Sequence, residues 1–113
     1  MLELEIPIKA ISGNHRNLMK NGRYFPSKEY KEFRQTVEQY IRVYLPRKKP
    51  ETGNLSVEFT FGFKDNRRRD ISNCVKTIED ACNGLLWKGD SQITEMWASK
   101  VHAEEDFIKI KIL

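Results

Sequence analysis

The strongest constraint on the fold is a run of large apolar residues at alternate positions: Leu55, Val57, Phe59, Phe61 and Phe63. Successive side chains of a β-strand point to opposite faces, so this period predicts a strand with one buried face. The intervening residues are Ser56, Glu58, Thr60, Gly62 and Lys64, which suit a more polar face. Five large side chains on one face need other elements to cover them.

Two segments have the three-or-four spacing of amphipathic helices. The first follows Ser27, a good helix cap, and ends before Pro46; its apolar positions are Tyr30, Phe33, Val37, Tyr40, Ile41, Tyr44 and Leu45. The second covers about residues 71–83, with Asn83 and Gly84 suited to its end. Its apolar arc is about 120° wide and holds Ile71, Cys74, Val75, Ile78, Ala81, Cys82 and Leu85.

The other segments predict strands and a long loop. Leu2, Leu4, Ile6 and Ile8 alternate with polar residues, and Pro7 indicates an edge strand or a strand end. Residues 11–26 predict a long loop that allows a small hairpin at Asn21-Gly22. Residues 93–102 and 107–113 read as two more strands, joined by a polar turn.

The expected order is therefore β, long loop, α, β, α, β, β. We expect a single α+β domain over residues 1–113, with a mixed, largely antiparallel sheet and both helices packed on it. A chain of 113 residues is long enough for one hydrophobic core but not for two.

Composition and charge limit the partners and the cellular location that we expect for the protein. Lys and Arg total 20 against 16 Asp and Glu, a net charge of +4 that favours anionic partners without identifying them. The sequence lacks an apolar run near the ~20 residues of a membrane span, and its first residues alternate rather than form a signal-peptide core. We therefore expect a cytoplasmic protein without a membrane partner. Cys74 and Cys82 both fall in the apolar arc, which indicates reduced core thiols.

A polar strip on the second helix carries the chemistry. Asp70, Asn73, Thr77 and Asp80 fall within about 80° of one another, with Lys76 at the far edge. Mg²⁺ prefers carboxylate oxygens and assists phosphodiester hydrolysis by activating water and neutralising charge. Lys76 would add a positive charge near the phosphate. The strip therefore indicates phosphodiester chemistry.

The spacing along the sequence limits which of these carboxylates can bind the same metal ion. Asp70 and Asp80 would lie about 15 Å apart on one regular helix, too far to share an ion. Asp90, in the loop after the helix, is the better partner for Asp70 if that loop folds back. Each residue also has a plain explanation: a helix cap for Asp70, an i, i+4 surface pair for Lys76 and Asp80, and a turn acid for Asp90.

Basic residues lie on both sides of the first helix. Lys64, Arg67, Arg68 and Arg69 directly precede Asp70 and predict a patch that binds the DNA backbone, although a charge run is often a solvated loop. A second group, Arg16, Lys20, Arg23 and Lys28, interleaves with Tyr24 and Phe25, which would either stack on bases or anchor the loop. The sequence lacks a zinc pattern, a glycine-rich phosphate loop and a serine nucleophile elbow.

The central motifs resemble the RusA family of Holliday-junction resolvases. Asp70 to Lys76, then Asp80, Asn83-Gly84 and Asp90-Ser91-Gln92-Ile93, are similar to that family's Asp-x-Asp-Asn-x-x-Lys, following Asp, and Asp-Asp-x-Gln-Val. The resemblance is close over about residues 67–100. It is looser towards the amino terminus, through Ile6-Pro7, the basic loop with Asn14 and Arg16, and residues 24–33.

The resemblance implies a homodimer that nicks four-way DNA junctions symmetrically, in recombination and repair. It implies Mg²⁺, with Mn²⁺ as a substitute, bound by Asp70 and Asp90, and Lys76 as a catalytic lysine. Asn73 and Asp80 match further motif positions, and Asp80 and Ser72 are additional candidate ligands. The small size and the family suggest a phage or prophage origin.

Two positions depart from the family pattern. Ser72 stands in place of the second aspartate, and Gly89 stands in place of the first residue of the Asp-Asp pair. A serine hydroxyl, or a water bound by it, can still reach a cation, but a negative ligand is lost. Asp80 would compensate only if folding brings it near Asp90.

Three hypotheses follow. The first is a metal-dependent, structure-selective DNA endonuclease. The second is a non-catalytic module that binds junctions or other nucleic acids through the basic loops. The third is a protein-binding surface around Asp70.

Overall fold

The computed structural model describes residues 1–13, 17–20 and 23–113, and for residues 17–20 and 23–26 it describes the backbone alone. The strands are β1 Leu2–Ile6, β2 Asn17–Lys20, β3 Arg23–Pro26, β4 Leu55–Phe63, β5 Ile93–His102 and β6 Phe107–Ile112. The helices are α1 Lys28–Tyr44 and α2 Ile71–Cys82. A short 3₁₀ turn, Asp90–Gln92, precedes β5.

Four strands form a mixed sheet in the order β1-β6-β4-β5. The pairs β1–β6 and β4–β6 are antiparallel, whereas β4 and β5 are parallel and are connected through α2. Parallel neighbours need such a crossover, which explains why the second helix lies between these strands in the sequence. The polar turn after β5 crosses the end of β4, where the Ala103 N–H donates to the Phe63 carbonyl at 2.9 Å.

One face of the sheet is covered by both helices. The alternating residues of β4 are all buried, and they share one apolar cluster with Ile108 and Ile110 of β6 and with the buried faces of α1 and α2. The predicted α+β fold, with its mixed sheet and two helices, is confirmed. Cys74 and Cys82 are free and buried in this core, as the helical pattern indicated.

One edge strand of the sheet, β1, matches the sequence prediction, and the other, β5, has exposed apolar side chains. β1 is an edge strand and ends at Ile6, directly before Pro7. β5 forms the opposite edge, and Met96, Trp97 and Val101 are exposed along it. A ten-residue edge strand with exposed apolar side chains offers unpaired backbone groups to another chain.

The long amino-terminal loop contains the small hairpin that its sequence allowed. β2 and β3 pair antiparallel, with Lys20 opposite Arg23. The Asn21-Gly22 turn lies outside the described residues.

Local signals explain where the helices begin and end. The Ser27 hydroxyl accepts a hydrogen bond from the Tyr30 N–H at 3.1 Å, which is the predicted cap of α1. α2 ends one residue before the predicted boundary, and Gly84 takes the positive φ of 83° that favours glycine. Within the described residues, none of the helices has the length and apolar character needed to cross a bilayer.

Candidate active site

An open cleft of about 560 Å³ lies at the amino-terminal end of α2. It is lined by Ser12, Arg68, Arg69, Asp70, Asn73, Cys74 and Lys100. These residues come from the loop after β1, the segment before α2, the first turn of α2 and strand β5. The fold thus brings a carboxylate, an amide and several basic groups into one concave surface.

Asp70 occupies the capping position of α2 without capping it. Its backbone is extended, with φ −85° and ψ 125°, and among the described residues its carboxylate accepts no bond from a helix N–H. The backbone carbonyl instead accepts from the N–H groups of Asn73 and Cys74, at 3.2 and 3.3 Å. Among the described residues, the carboxylate accepts a side-chain hydrogen bond only from the Asn73 amide, at a long 3.4 Å. Asp70 is exposed and lines the cleft.

The first turns of α2 are held by the loop that follows β1. The Thr77 hydroxyl donates to the Ile11 carbonyl at 2.9 Å. Gly13 lies so close to the helix that an added Cβ would be 3.4 Å from the Asn73 carbonyl oxygen and 3.7 Å from Lys76 Cδ. Ser72 and Lys76 remain exposed beside this contact. The predicted catalytic lysine is the sixth of the twelve residues of α2 and lies beside Gly13.

Arg69 differs from the other basic residues that precede Asp70. Its guanidinium donates to both carboxylate oxygens of Asp65, at 2.5 and 2.8 Å, and lies over the Phe63 ring at 4.1 Å. Only 16% of the Arg69 side chain is exposed. Arg67 and Arg68 are exposed. Of the three arginines predicted to bind DNA, Arg69 thus has its charge committed to a contact within the protein.

Asp65 is the centre of this contact. It also accepts from the Arg67 N–H at 3.0 Å and from the Lys9 ammonium at 3.2 Å. The Arg69 hydrogen bonds, followed by that of the Arg67 N–H, hold the pKa of Asp65 well below its usual range. The network ties the end of β4 and the chain after β1 to the segment that carries Asp70.

Asp90 lies at the opposite end of α2. The indole N–H of Trp87, a fully buried residue, donates to the Asn83 side chain at 2.8 Å and approaches Asp90 Oδ1 at 3.4 Å. Asn83 is the residue that ends α2. Trp87 therefore fixes Asp90 beside the carboxyl-terminal end of the helix.

Two further acids accompany Asp90. Burial raises the pKa of Glu79 to about 7, with the charges of Asp90 and then Asp80 adding to the effect. Glu79 therefore lies close enough to interact with both Asp90 and Asp80. The role of Asp80 as a partner of Asp90 stays a prediction.

The two ends of α2 are too far apart to share a metal ion within one chain. Twelve residues of helix span about 18 Å, whereas two ligands of one Mg²⁺ each lie ~2 Å from it. The loop that carries Asp90 does not fold back to Asp70 in this structure. In the described part of the chain, no group of three His, Cys, Asp or Glu side chains is arranged to hold a metal. One chain thus does not fit an ion shared by Asp70 and Asp90.

Part of the second basic group cannot be placed. Arg16 lies outside the described residues, and for Lys20 and Arg23 only the backbone, in β2 and β3, is described. Their predicted DNA contacts stay predictions, as do the side-chain roles considered for Tyr24 and Phe25.

Sequence reasoning did not identify three residues of these two regions: Ser12, Glu79 and Lys100. Ser12 and Lys100 line the Asp70 cleft, and Glu79 joins the acids at the other end of α2. The strand period of β5 indicates the face on which Lys100 lies. Its approach to Asp70 arises from the pairing of β4 with β5 and has no local signal.

Comparison with known proteins agrees with the motifs. A family model described as "Endodeoxyribonuclease RusA" matches residues 7–113, nearly the whole chain. The chain belongs to the RusA family. This confirms the resemblance inferred from residues 67–100 and extends it across α1 and β6.

One curated relative from Bacillus subtilis (strain 168) is described as "Uncharacterized protein YqaN". It is 40% identical over 43 residues, which cover 38% of this chain and 30% of that protein. The chain therefore spans less than a third of that relative's length.

Proposed function

We propose that this RusA-family chain is a metal-dependent, structure-selective DNA endonuclease that resolves four-way junctions by paired symmetric nicks, in recombination and repair. The observation that carries the proposal is the Asp70 carboxylate, which is exposed at a helix start, does not cap the helix and faces a cleft lined with basic groups. A carboxylate whose one hydrogen bond from a described side chain is long, in a basic cleft, suits a cation that bridges it to a phosphate.

Asp70 and Asp90 are the proposed metal ligands, with Mg²⁺ or Mn²⁺ as the ion and Asp80 and Ser72 as further candidates. When bound, the ion neutralises charge on the phosphate and activates water. The Lys76 ammonium would stabilise negative charge on the phosphate, and Asn73, Arg67 and Arg68 would hold the DNA backbone.

The separation of Asp70 and Asp90 supports a homodimer with sites shared between two copies. β5 begins directly after the turn that carries Asp90, and near its other end the Lys100 ammonium donates to the Arg69 carbonyl beside Asp70. If two β5 edges pair antiparallel, the Asp90 end of one copy lies next to the Asp70 end of the other. The exposed Met96, Trp97 and Val101 would be covered in such a pair.

A second candidate, a junction-binding protein without catalysis, is favoured by Ser72. This residue is exposed in the first turn of α2, directly before Asn73, and offers a neutral hydroxyl where the family pattern has a carboxylate. Under this alternative the cleft would bind phosphate through its basic groups, and junctions would be bound but not cut.

The deciding experiment incubates the purified protein with an end-labelled synthetic four-way junction, with and without Mg²⁺ or Mn²⁺. Paired nicks that need metal and disappear in Asp70→Asn and Asp90→Asn support the endonuclease. Linear duplex of the same sequence is the control for structure selectivity. Binding without nicks in every metal condition favours the binding protein, and cutting retained in both variants overturns the site assignment.

A further inference from the structure

The side chain of Lys100 lies in the Asp70 cleft, thirty-one residues along the chain from Arg69. It is opposite Phe61 in the parallel register of β4 and β5, and therefore on the face of the sheet that carries the helices. Its ammonium donates to the Arg69 carbonyl at 2.6 Å. That bond holds the cation at the peptide group directly before Asp70.

The hydrogen bond to the Arg69 carbonyl does not neutralise the charge of Lys100. A backbone carbonyl is neutral, so the ammonium keeps its full charge and two further N–H donors. In the described part of the chain, no ion pair includes Lys100. The residue is exposed, which leaves the charge open to a ligand.

Arg69 is in the opposite situation, although it also lines the cleft. Both carboxylate oxygens of Asp65 accept from its guanidinium, and the pair is largely buried. Exchanging this partner for a phosphate would leave Asp65 with a less compensated charge, which is costly in a partly buried site. Among the described residues that line the cleft, Lys100 and Arg68 are thus the cations available to an entering phosphate.

We propose that Lys100 is a further phosphate-binding residue of this chain, holding the DNA backbone against the Asp70 carboxylate while its bond to the Arg69 carbonyl fixes the direction of the ammonium. The assignment rests on the proposed function, because it takes the ligand of the cleft to be a DNA phosphate. An anchored ammonium loses less side-chain freedom on binding than a free surface lysine does.

The test measures binding of a labelled four-way junction in EDTA, so that the result does not depend on metal or cutting. Loss of one phosphate contact in each copy lowers the slope of log K against log salt by about 0.9 per copy and weakens binding about fivefold per copy near 0.15 M salt. We expect this change in Lys100→Met and in Lys100→Gln, and we expect Lys100→Arg to restore the slope. Lys100→Gln keeps a donor for the Arg69 carbonyl, so comparison with Lys100→Arg isolates the charge even if Lys100→Met is unstable.

Lys111→Met is the matched control. Lys111 pairs with Glu58 and Glu3 in the register of the sheet, on the face away from the helices, so the same charge is removed where the cleft is out of reach. Its slope should equal that of the unmodified chain. An unchanged slope in Lys100→Gln, or an equal loss in Lys111→Met, would overturn the assignment. If the unmodified protein does not bind the junction at all, the proposed function fails rather than the role of Lys100.

Discussion

Asp70 and Ser27 both occupy the position before a helix, but only the serine caps it. The Ser27 hydroxyl accepts from the Tyr30 N–H, whereas the Asp70 carboxylate accepts no N–H bond from the described part of α2. A side chain that does not cap its helix is available for another role. This contrast separates a structural residue from a candidate catalytic one.

We therefore expect Asp70→Asn and Ser27→Ala to have opposite effects. Ser27→Ala should lower the free energy of unfolding by about 1 kcal/mol and leave junction cutting in place. Asp70→Asn should change it by no more than about 0.5 kcal/mol, through the helix dipole, and abolish cutting. Urea denaturation and the junction assay measure the two quantities. Because Asn caps a helix as well as Asp does, Asp70→Ala tests for a cap: destabilisation as large as that of Ser27→Ala would mean that Asp70 is a structural cap.

At the scale of elements, the two ends of α2 have different electrostatics. The amino-terminal end faces basic groups, whereas the carboxyl-terminal end holds Glu79, Asp80 and Asp90. Burial and repulsion leave Glu79 with a pKa of about 7, against about 4.3 for an unfolded glutamate. The folded state therefore binds this proton more tightly than the unfolded state does.

The sign of the resulting pH dependence follows from that difference. The contribution of Glu79 to stability is fully present below about pH 4.3 and is lost as pH rises through about 7. We expect Glu79→Gln to remove this loss, so that in metal-free buffer the variant melts at a higher temperature than the unmodified chain at about pH 8. Thermal melts across this range are the measurement. The exposed Glu105→Gln is the control, and an identical pH profile for Glu79→Gln and the unmodified chain would contradict the prediction.

In strand β4, the packing around Gly62 leaves no room for a larger residue. A Cβ at this position would overlap the ring of Phe107 on the neighbouring strand β6. We expect Gly62→Ala to cost about 1–3 kcal/mol of stability, because the ring must move from its packed position. Chemical denaturation measures this cost.

A double-mutant cycle and a matched control isolate the cause. The cost of Gly62→Ala should shrink in a Phe107→Ala background, where the ring is gone. Gly89→Ala should be nearly neutral, since no atom of the described residues lies within 4 Å of its added Cβ. Equal costs in both backgrounds would show that the ring is not the obstacle.

At the scale of the whole molecule, the proposed sharing of sites between two copies has a distinctive consequence. Asp70→Asn and Asp90→Asn should each be inactive alone. A mixed dimer of the two would combine the intact Asp70 of one copy with the intact Asp90 of the other in one site, and both substitutions in the second site. We expect the mixture to regain cutting at one site per dimer, seen as single rather than paired nicks.

Sites formed within single chains predict the opposite result. If each site lies within one chain, every site of the mixed dimer carries one substitution and cutting stays absent. The unmodified protein mixed with either variant serves as the control for subunit exchange. The assay therefore tests whether Asp70 and Asp90 of one chain, which the 12 residues of α2 separate, belong to different active sites.

Local patterns in the sequence were enough to predict the elements and their buried and exposed faces. Alternation at residues 55–63, helical spacing after Ser27 and Asp70, and the turn signals at Pro46 and Gly84 are local properties, because each is set by backbone period or by one residue's allowed conformations. They led to the correct α+β fold, and the residues of one helix face indicated the family.

Contacts between residues that are far apart in the chain could not be predicted from local patterns. The approach of Lys100 to Arg69, the pairing of Arg69 with Asp65, and the placement of Asp90 by Trp87 all depend on how strands pair and helices pack. Asp70 and Asp90 belong to one sequence motif, yet a rigid helix of about 18 Å separates them. Periodicity shows which way a side chain faces, whereas proximity across the chain depends on the packing of whole elements.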